Sequence, residues 1–115
     1  ESLRLNTTGS NNTAVGQDSL RANVSGDNNV AVGRNALSSN IAGSSNSALG
    51  YGTQTGDFDE CVILGREATA TADNQFVVGS ATYNAGAITT ETVTVDKTWT
   101  VKINGVDYKI PIVAA

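Results

Sequence analysis

Asp27-Asn28-Asn29-Val30-Ala31-Val32-Gly33 is one copy of a string that returns along most of this chain, and no other property of the sequence narrows its possible folds so far. Ser10-Asn11-Asn12-Thr13-Ala14-Val15-Gly16 precedes it and Ser44-Ser45-Asn46-Ser47-Ala48-Leu49-Gly50 follows, so the three closing glycines fall 17 residues apart. Two looser copies, Glu60-Cys61-Val62-Ile63-Leu64-Gly65 and Asn74-Gln75-Phe76-Val77-Val78-Gly79, close after further steps of 15 and 14 residues. A unit this short cannot bury an apolar face alone. Successive copies must therefore stack as coils of a solenoid.

Strand alternation assigns the residues of each string to faces. The residue beside the glycine is always a large aliphatic: Val15, Val32, Leu49, Leu64 and Val78. These five are expected to stack inside as the core of the roll. The middle residues, Ala14, Ala31, Ala48, Ile63 and Val77, then occupy the opposite face, small and apolar where a lone solenoid would carry polar groups. That face is expected to be covered by something. The closing glycines suit positive φ or a close approach of backbones between coils.

A second apolar signal, Leu20 and then Leu37, follows the early glycines and marks the return arm of the coil. Gln17 to Ala22 is too short for a stable helix and reads as strand or irregular turn. The pairs Asn11-Asn12 and Asn28-Asn29 fit either stacked amide ladders or turns in left-handed conformations, with the turn reading preferred. Three matches to the glycosylation sequon, at Asn6, Asn11 and Asn23, reflect an Asn/Ser/Thr-rich composition.

Composition excludes several function classes. Of the 115 residues, 39% are hydrophobic and 5% aromatic, and there is no histidine, which removes the commonest general base and metal ligand. The net charge of −4 comes from scattered acids, and no basic stripe could follow a phosphate backbone. Neither nucleic acid nor a cofactor is an expected partner. Cys61 is the single cysteine and reads as a buried thiol rather than half of an intrachain disulfide. No apolar run reaches the roughly 18 residues that span a bilayer, so membrane insertion is not expected. Asp57, Asp59 and Glu60 form a candidate cation site, but without the further ligands of a calcium loop a solvated loop is the preferred reading.

From Ala85-Gly86-Ala87 onward strict alternation replaces the repeat, which divides the chain into a shaft, residues 1–86, and a second unit, residues 87–115. Asn104-Gly105 predicts a two-residue hairpin turn between Thr98–Ile103 and Val106–Pro111. The resulting register places Trp99, Val101, Ile103, Val106, Tyr108 and Ile110 on one apolar side, the core of a small antiparallel cap. A lone hairpin is marginal in water, so that side needs a partner sheet, with 92–95 and neighbouring chains as candidates. Because Ser2 to Gly9 matches Ser19 to Gly26, the chain starts within a repeat, and a longer shaft is expected upstream.

The strings Asn12–Gly16, Asn29–Gly33, Asn46–Gly50, Cys61–Gly65 and Gln75–Gly79 resemble the head repeats of trimeric autotransporter adhesins and similar repeats of phage tail fibres. The resemblance covers about residues 1 to 80 and implies an all-β fold: a left-handed parallel β-roll with three chains side by side, with Ala14, Ala31, Ala48, Ile63 and Val77 at the trimer interface. The 17-residue step is longer than that family's usual repeat. Residues 87–115 resemble the small β-structured tips of phage fibres. Together these imply a non-enzymatic homotrimeric fibre on a virion tail that attaches to a glycan or protein receptor on a host cell surface. A bacterial trimeric surface adhesin is the alternative, weakened because the chain ends in a hairpin rather than a stalk and anchor. A tailspike-type hydrolase would need two carboxylates from Asp57, Asp59, Glu60, Glu67 and Asp73 about 5 to 10 Å apart across a groove, for which so slim a roll leaves little room. An ice-binding solenoid lacks its regular threonine array.

Overall fold

The structure, a computed structural model, describes residues 1–82 and, as backbone only, 97–103 and 106–112. Five strands of three residues each, β1 (Thr13–Val15), β2 (Val30–Val32), β3 (Ser47–Leu49), β4 (Val62–Leu64) and β5 (Phe76–Val78), form one parallel sheet in sequence order. The chain is thus a β-solenoid of about four turns. Every string lands in register with the next, Val15 beside Val32, Leu49, Leu64 and Val78, and Ala14 beside Ala31, Ala48, Ile63 and Val77. Stacking of the repeats, and which residues share a column, follow directly from the spacing of the glycines.

The two columns, however, face opposite to the expectation. Ala31 and Ile63 are wholly buried, Ala48 nearly so, and Ala14 and Val77 pack against the same cluster. The expected core column is on the outside: Val15 is 57% exposed and Leu49 56%, Val78 is also exposed, and Val32 and Leu64 are half-buried. The physical reason is room. In the first two coils the return arm sends a leucine, Leu20 or Leu37, into the narrow interior, where only alanine fits opposite it. The third coil drops two residues and has Thr53-Gln54-Thr55 where a leucine would stand, and the next strand residues enlarge to Ile63 and Val77. Large strand residues beside the leucines would overpack a core of this size.

Those leucines also explain the shape of the return arm, which is irregular turn rather than strand. Leu20 and Leu37 adopt positive φ, 47° and 50°. That conformation costs roughly 1–2 kcal/mol for an L-residue, and burying a leucine contributes about 1.5–3 kcal/mol in return. Cys61, Ala36, Ala68 and Ala70 complete the buried apolar set among the described residues. The Cys61 thiol is a free, buried donor aimed at the carbonyls of Asp59 and Ala72, as expected for a packed cysteine.

Each asparagine of the pairs has its own task. Asn11 and Asn28, with Ser45, Glu60 and Asn74 at the equivalent positions, turn the corner before the strand at φ between 56° and 60°. Asparagine is among the few non-glycine residues that tolerate this region. Its neighbour enters the interior and forms a ladder: Asn29 N–H donates to Asn12 Oδ1 at 2.9 Å, Asn46 N–H to Asn29 Oδ1 at 3.0 Å, and Cys61 N–H to Asn46 Oδ1 at 2.9 Å. A second ladder, not anticipated from the sequence, runs parallel to it. Asn23 Nδ2 donates to Asn6 Oδ1, Asn40 Nδ2 to Asn23 Oδ1, and Thr55 Oγ1 to Asn40 Oδ1.

The ladders converge on the corner glycines. Gly26 O accepts from Asn12 Nδ2 and Asn23 Nδ2, and Gly43 O from Asn29 Nδ2 and Asn40 Nδ2, all between 2.7 and 3.0 Å. A Cβ on Gly26 would lie 2.3 Å from Gly43 O and 2.6 Å from Asn23 Oδ1, so only glycine lets the coils approach closely enough for both amides to reach. Asn23, Asn29, Asn40 and Asn46 are wholly buried, and no buried side-chain nitrogen or oxygen among the described residues lacks a partner. Satisfied amides in a dry interior fix the rung register, because a slipped rung would strand them.

Beyond the solenoid, β6 (Lys97–Ile103) and β7 (Val106–Ile112) pair antiparallel. Their register is the one the hairpin signal predicts, with Trp99 opposite Ile110, Val101 opposite Tyr108 and Ile103 opposite Val106. The Asn104-Gly105 turn, the boundary at 86–87, the candidate strand 92–95 and the side chains of the six cap-core residues lie outside the described residues.

Candidate functional site

With the alanine column inside, the outward face of the sheet is built from the first and third residues of each strand. Val30, Val62 and Phe76 join Val15, Val32, Leu49, Leu64 and Val78, and only Thr13 and Ser47 interrupt them. Phe76 is 61% exposed. At about 4.8 Å per rung, the five strands carry this apolar band over about 19 Å. Scattered exposed aliphatics are ordinary, but a contiguous band on one parallel sheet is not, since such sheets are normally covered. The proposed interface residues Ala14, Ala31, Ala48, Ile63 and Val77 cannot meet another chain, because they lie against their own coil's core.

The acids serve the backbone. Asp57 accepts from the N–H groups of Ile41 and Ala42, Asp59 Oδ1 from Ser44 N–H at 2.6 Å, and Asp73 Oδ1 from Asp59 N–H at 2.9 Å. In the earlier coils Asp27 Oδ1 does the same for Ser10 N–H. Glu60 sits at a left-handed corner, and Glu67 lies 3.6 Å from Arg66. Asp57 and Asp59 thus clip neighbouring rungs together, and no group of three or more potential metal ligands occurs among the described residues. An open concavity of about 440 Å³ at the last described rung is lined by Glu67, Thr69, Val78 and residues 79–82, with one carboxylate among them. Of the sequons, Asn23 is committed to the buried ladder and the Asn6 amide donates to Gly9 O.

A further exposed column passes through the residues that directly follow the closing glycines: Gln17, Arg34, Tyr51 and Arg66. Asn35 N–H donates to Gln17 O, Gly52 N–H to Arg34 O and Glu67 N–H to Tyr51 O, which stacks these four on successive rungs. The Arg66 guanidinium lies 5.5 Å from the Tyr51 ring centroid. None of the four stands out as a site residue in the sequence, although their fixed place after each glycine is a signal it carries.

No protein-family model, no curated protein and no solved structure matches this chain. The likeness to trimeric adhesin and tail-fibre repeats rests on the motif residues alone. No helix among the described residues is long and apolar enough to cross a membrane.

Proposed function

We propose that this chain is a non-enzymatic shaft segment of a homotrimeric fibre, a left-handed roll on a phage tail that holds a small antiparallel cap and mediates attachment to a host cell surface. The observation that carries the reading is the exposed apolar face of β1–β5. A single chain leaves it in water, and three copies around a parallel axis would bury it while keeping all rungs level. Symmetry then explains why the column Val15, Val32, Leu49, Leu64, Val78 is large and aliphatic on the outside. It becomes the core of the assembly rather than of the roll. Placed at the end of the shaft, the paired β6 and β7 would set chain register and protect the open edge of the last coil. The head of a bacterial trimeric surface adhesin is the alternative with the same geometry.

Light scattering on the full chain tests this reading. Three times the chain mass is expected, and Leu49→Asp is expected to dissociate the trimer, since three like charges would meet on one buried rung. A folded monomer of the parent chain would overturn the assembly. Labelled trimer that binds no bacterial surface would overturn the attachment role and leave a spacer.

A further inference from the structure

We propose that the corner column Arg34, Tyr51 and Arg66 binds a carboxylated saccharide, an inference that rests on the attachment role proposed above and names its chemistry. The backbone hydrogen bonds from Gly52 to Arg34 and from Glu67 to Tyr51, 3.0 and 2.8 Å, fix the three residues on consecutive rungs of one edge. Tyr51 is 41% exposed, with the Arg66 guanidinium stacked over its ring. Arg34, one rung away on the other side, is exposed and its guanidinium makes no ion pair among the described residues. A tyrosine with an arginine on the rung to either side gathers positive charge on a chain whose net charge is −4.

The chemistry of the three groups is complementary to an acidic sugar. A tyrosine ring offers a flat apolar surface with a polar tip, suited to the C–H face of a pyranose. Guanidinium presents paired N–H donors that match a carboxylate and is weakly hydrated enough to use them at a surface. Rungs lie about 4.8 Å apart, so Arg34 and Arg66 bracket Tyr51 over about 10 Å. A sugar ring seated on Tyr51 therefore has its carboxylate within reach of Arg34. Arg66, partly neutralised by Glu67 at 3.6 Å, mainly braces the ring. A rigid solenoid holds the arrangement without ordering a loop, which lowers the entropic cost of binding. In an assembled fibre the column would recur on each chain, and weak single sites would act together.

Two probes test the inference by NMR titration of the full chain: tetragalacturonate, with its methyl ester as uncharged control, and sialyllactose, with lactose as control. At least one acidic probe is expected to bind at least tenfold more tightly than its control. Arg34→Ala and Tyr51→Ala should each weaken that binding at least tenfold. Tyr51→Phe should retain most of it, and Arg21→Ala, on another column, should leave it unchanged. Equal affinity for acid and control, or unaltered binding by Arg34→Ala and Tyr51→Ala, overturns the proposal. So does a change in the oligomeric state of those variants, because the column would then belong to a chain–chain contact. If labelled protein binds bacterial surfaces but neither acidic probe, this inference falls while the attachment role stands; if it binds neither, both fall.

Discussion

Asn29 offers the most direct test of whether the buried ladders hold the solenoid together. Its side chain is wholly buried, its Nδ2 donates to Gly43 O at 2.8 Å, and its Oδ1 accepts Asn46 N–H at 3.0 Å. Replacement by alanine removes both contacts with unequal consequences. Gly43 O keeps Asn40 Nδ2 at 2.8 Å, so it loses one of two donors, about 0.5–1.5 kcal/mol. Asn46 N–H loses its acceptor in the dry interior, which costs about 1–3 kcal/mol. Asn29→Ala is therefore expected to destabilise by about 1.5–4.5 kcal/mol per chain, of which the backbone orphan is the larger part. Asn29→Asp should be worse, although it keeps the acceptor for Asn46. It points a carboxylate oxygen at the Gly43 carbonyl and buries a charge without a counter-ion. Urea denaturation followed by circular dichroism, at one fixed protein concentration so that assembly contributes equally, measures all three proteins. Asn28→Gly, at the exposed left-handed corner, is the control and should fall within about 0.5 kcal/mol of the parent. If Asn29→Ala loses less than that, or if Asn29→Asp matches the parent, the ladder contributes nothing to stability and the reasoning fails.

Further outcomes follow from the same packing. Ile63→Ala should cost about 2–5 kcal/mol, because Ile63 is the largest strand residue in the core and no return-arm leucine in its coil can fill the void; the midpoint of urea unfolding reads it. Gly33→Ala should destabilise by about 1–3 kcal/mol or more in the same assay, since Gly33 has φ +137° and its Cβ would lie 2.4 Å from Gly50 O. Cys61 should resist a thiol reagent in the folded protein and react fully in denaturant, and rapid reaction under native conditions would contradict its burial.

The sequence by itself determined the stacking. Glycines at a nearly constant step, each closing three apolar or small residues, fixed which residues form columns, and Asn104-Gly105 fixed the register of Lys97–Ile103 against Val106–Ile112. Tertiary structure alone decided which column points inward. Alternation gives a strand two faces but not their sign, and the sign depends on the space left by the return arm. Leu20 and Leu37 occupy that space, so Ala31 goes in and Val32 toward the outside. The same holds for the paired asparagines, which read as turn residues in preference to a ladder although each pair supplies both. Only the closed coil, with water excluded on one side of the corner, makes Asn28 a turn residue and Asn29 a rung. The second ladder was in principle visible as an asparagine three residues before each of Gly9, Gly26 and Gly43, yet it carries meaning only once those glycines are seen to touch the next coil. Acids that read as a solvated loop, or less readily as a cation site, became clips for Ile41, Ala42 and Ser44, because a solenoid corner turns backbone N–H groups toward the rung beside them.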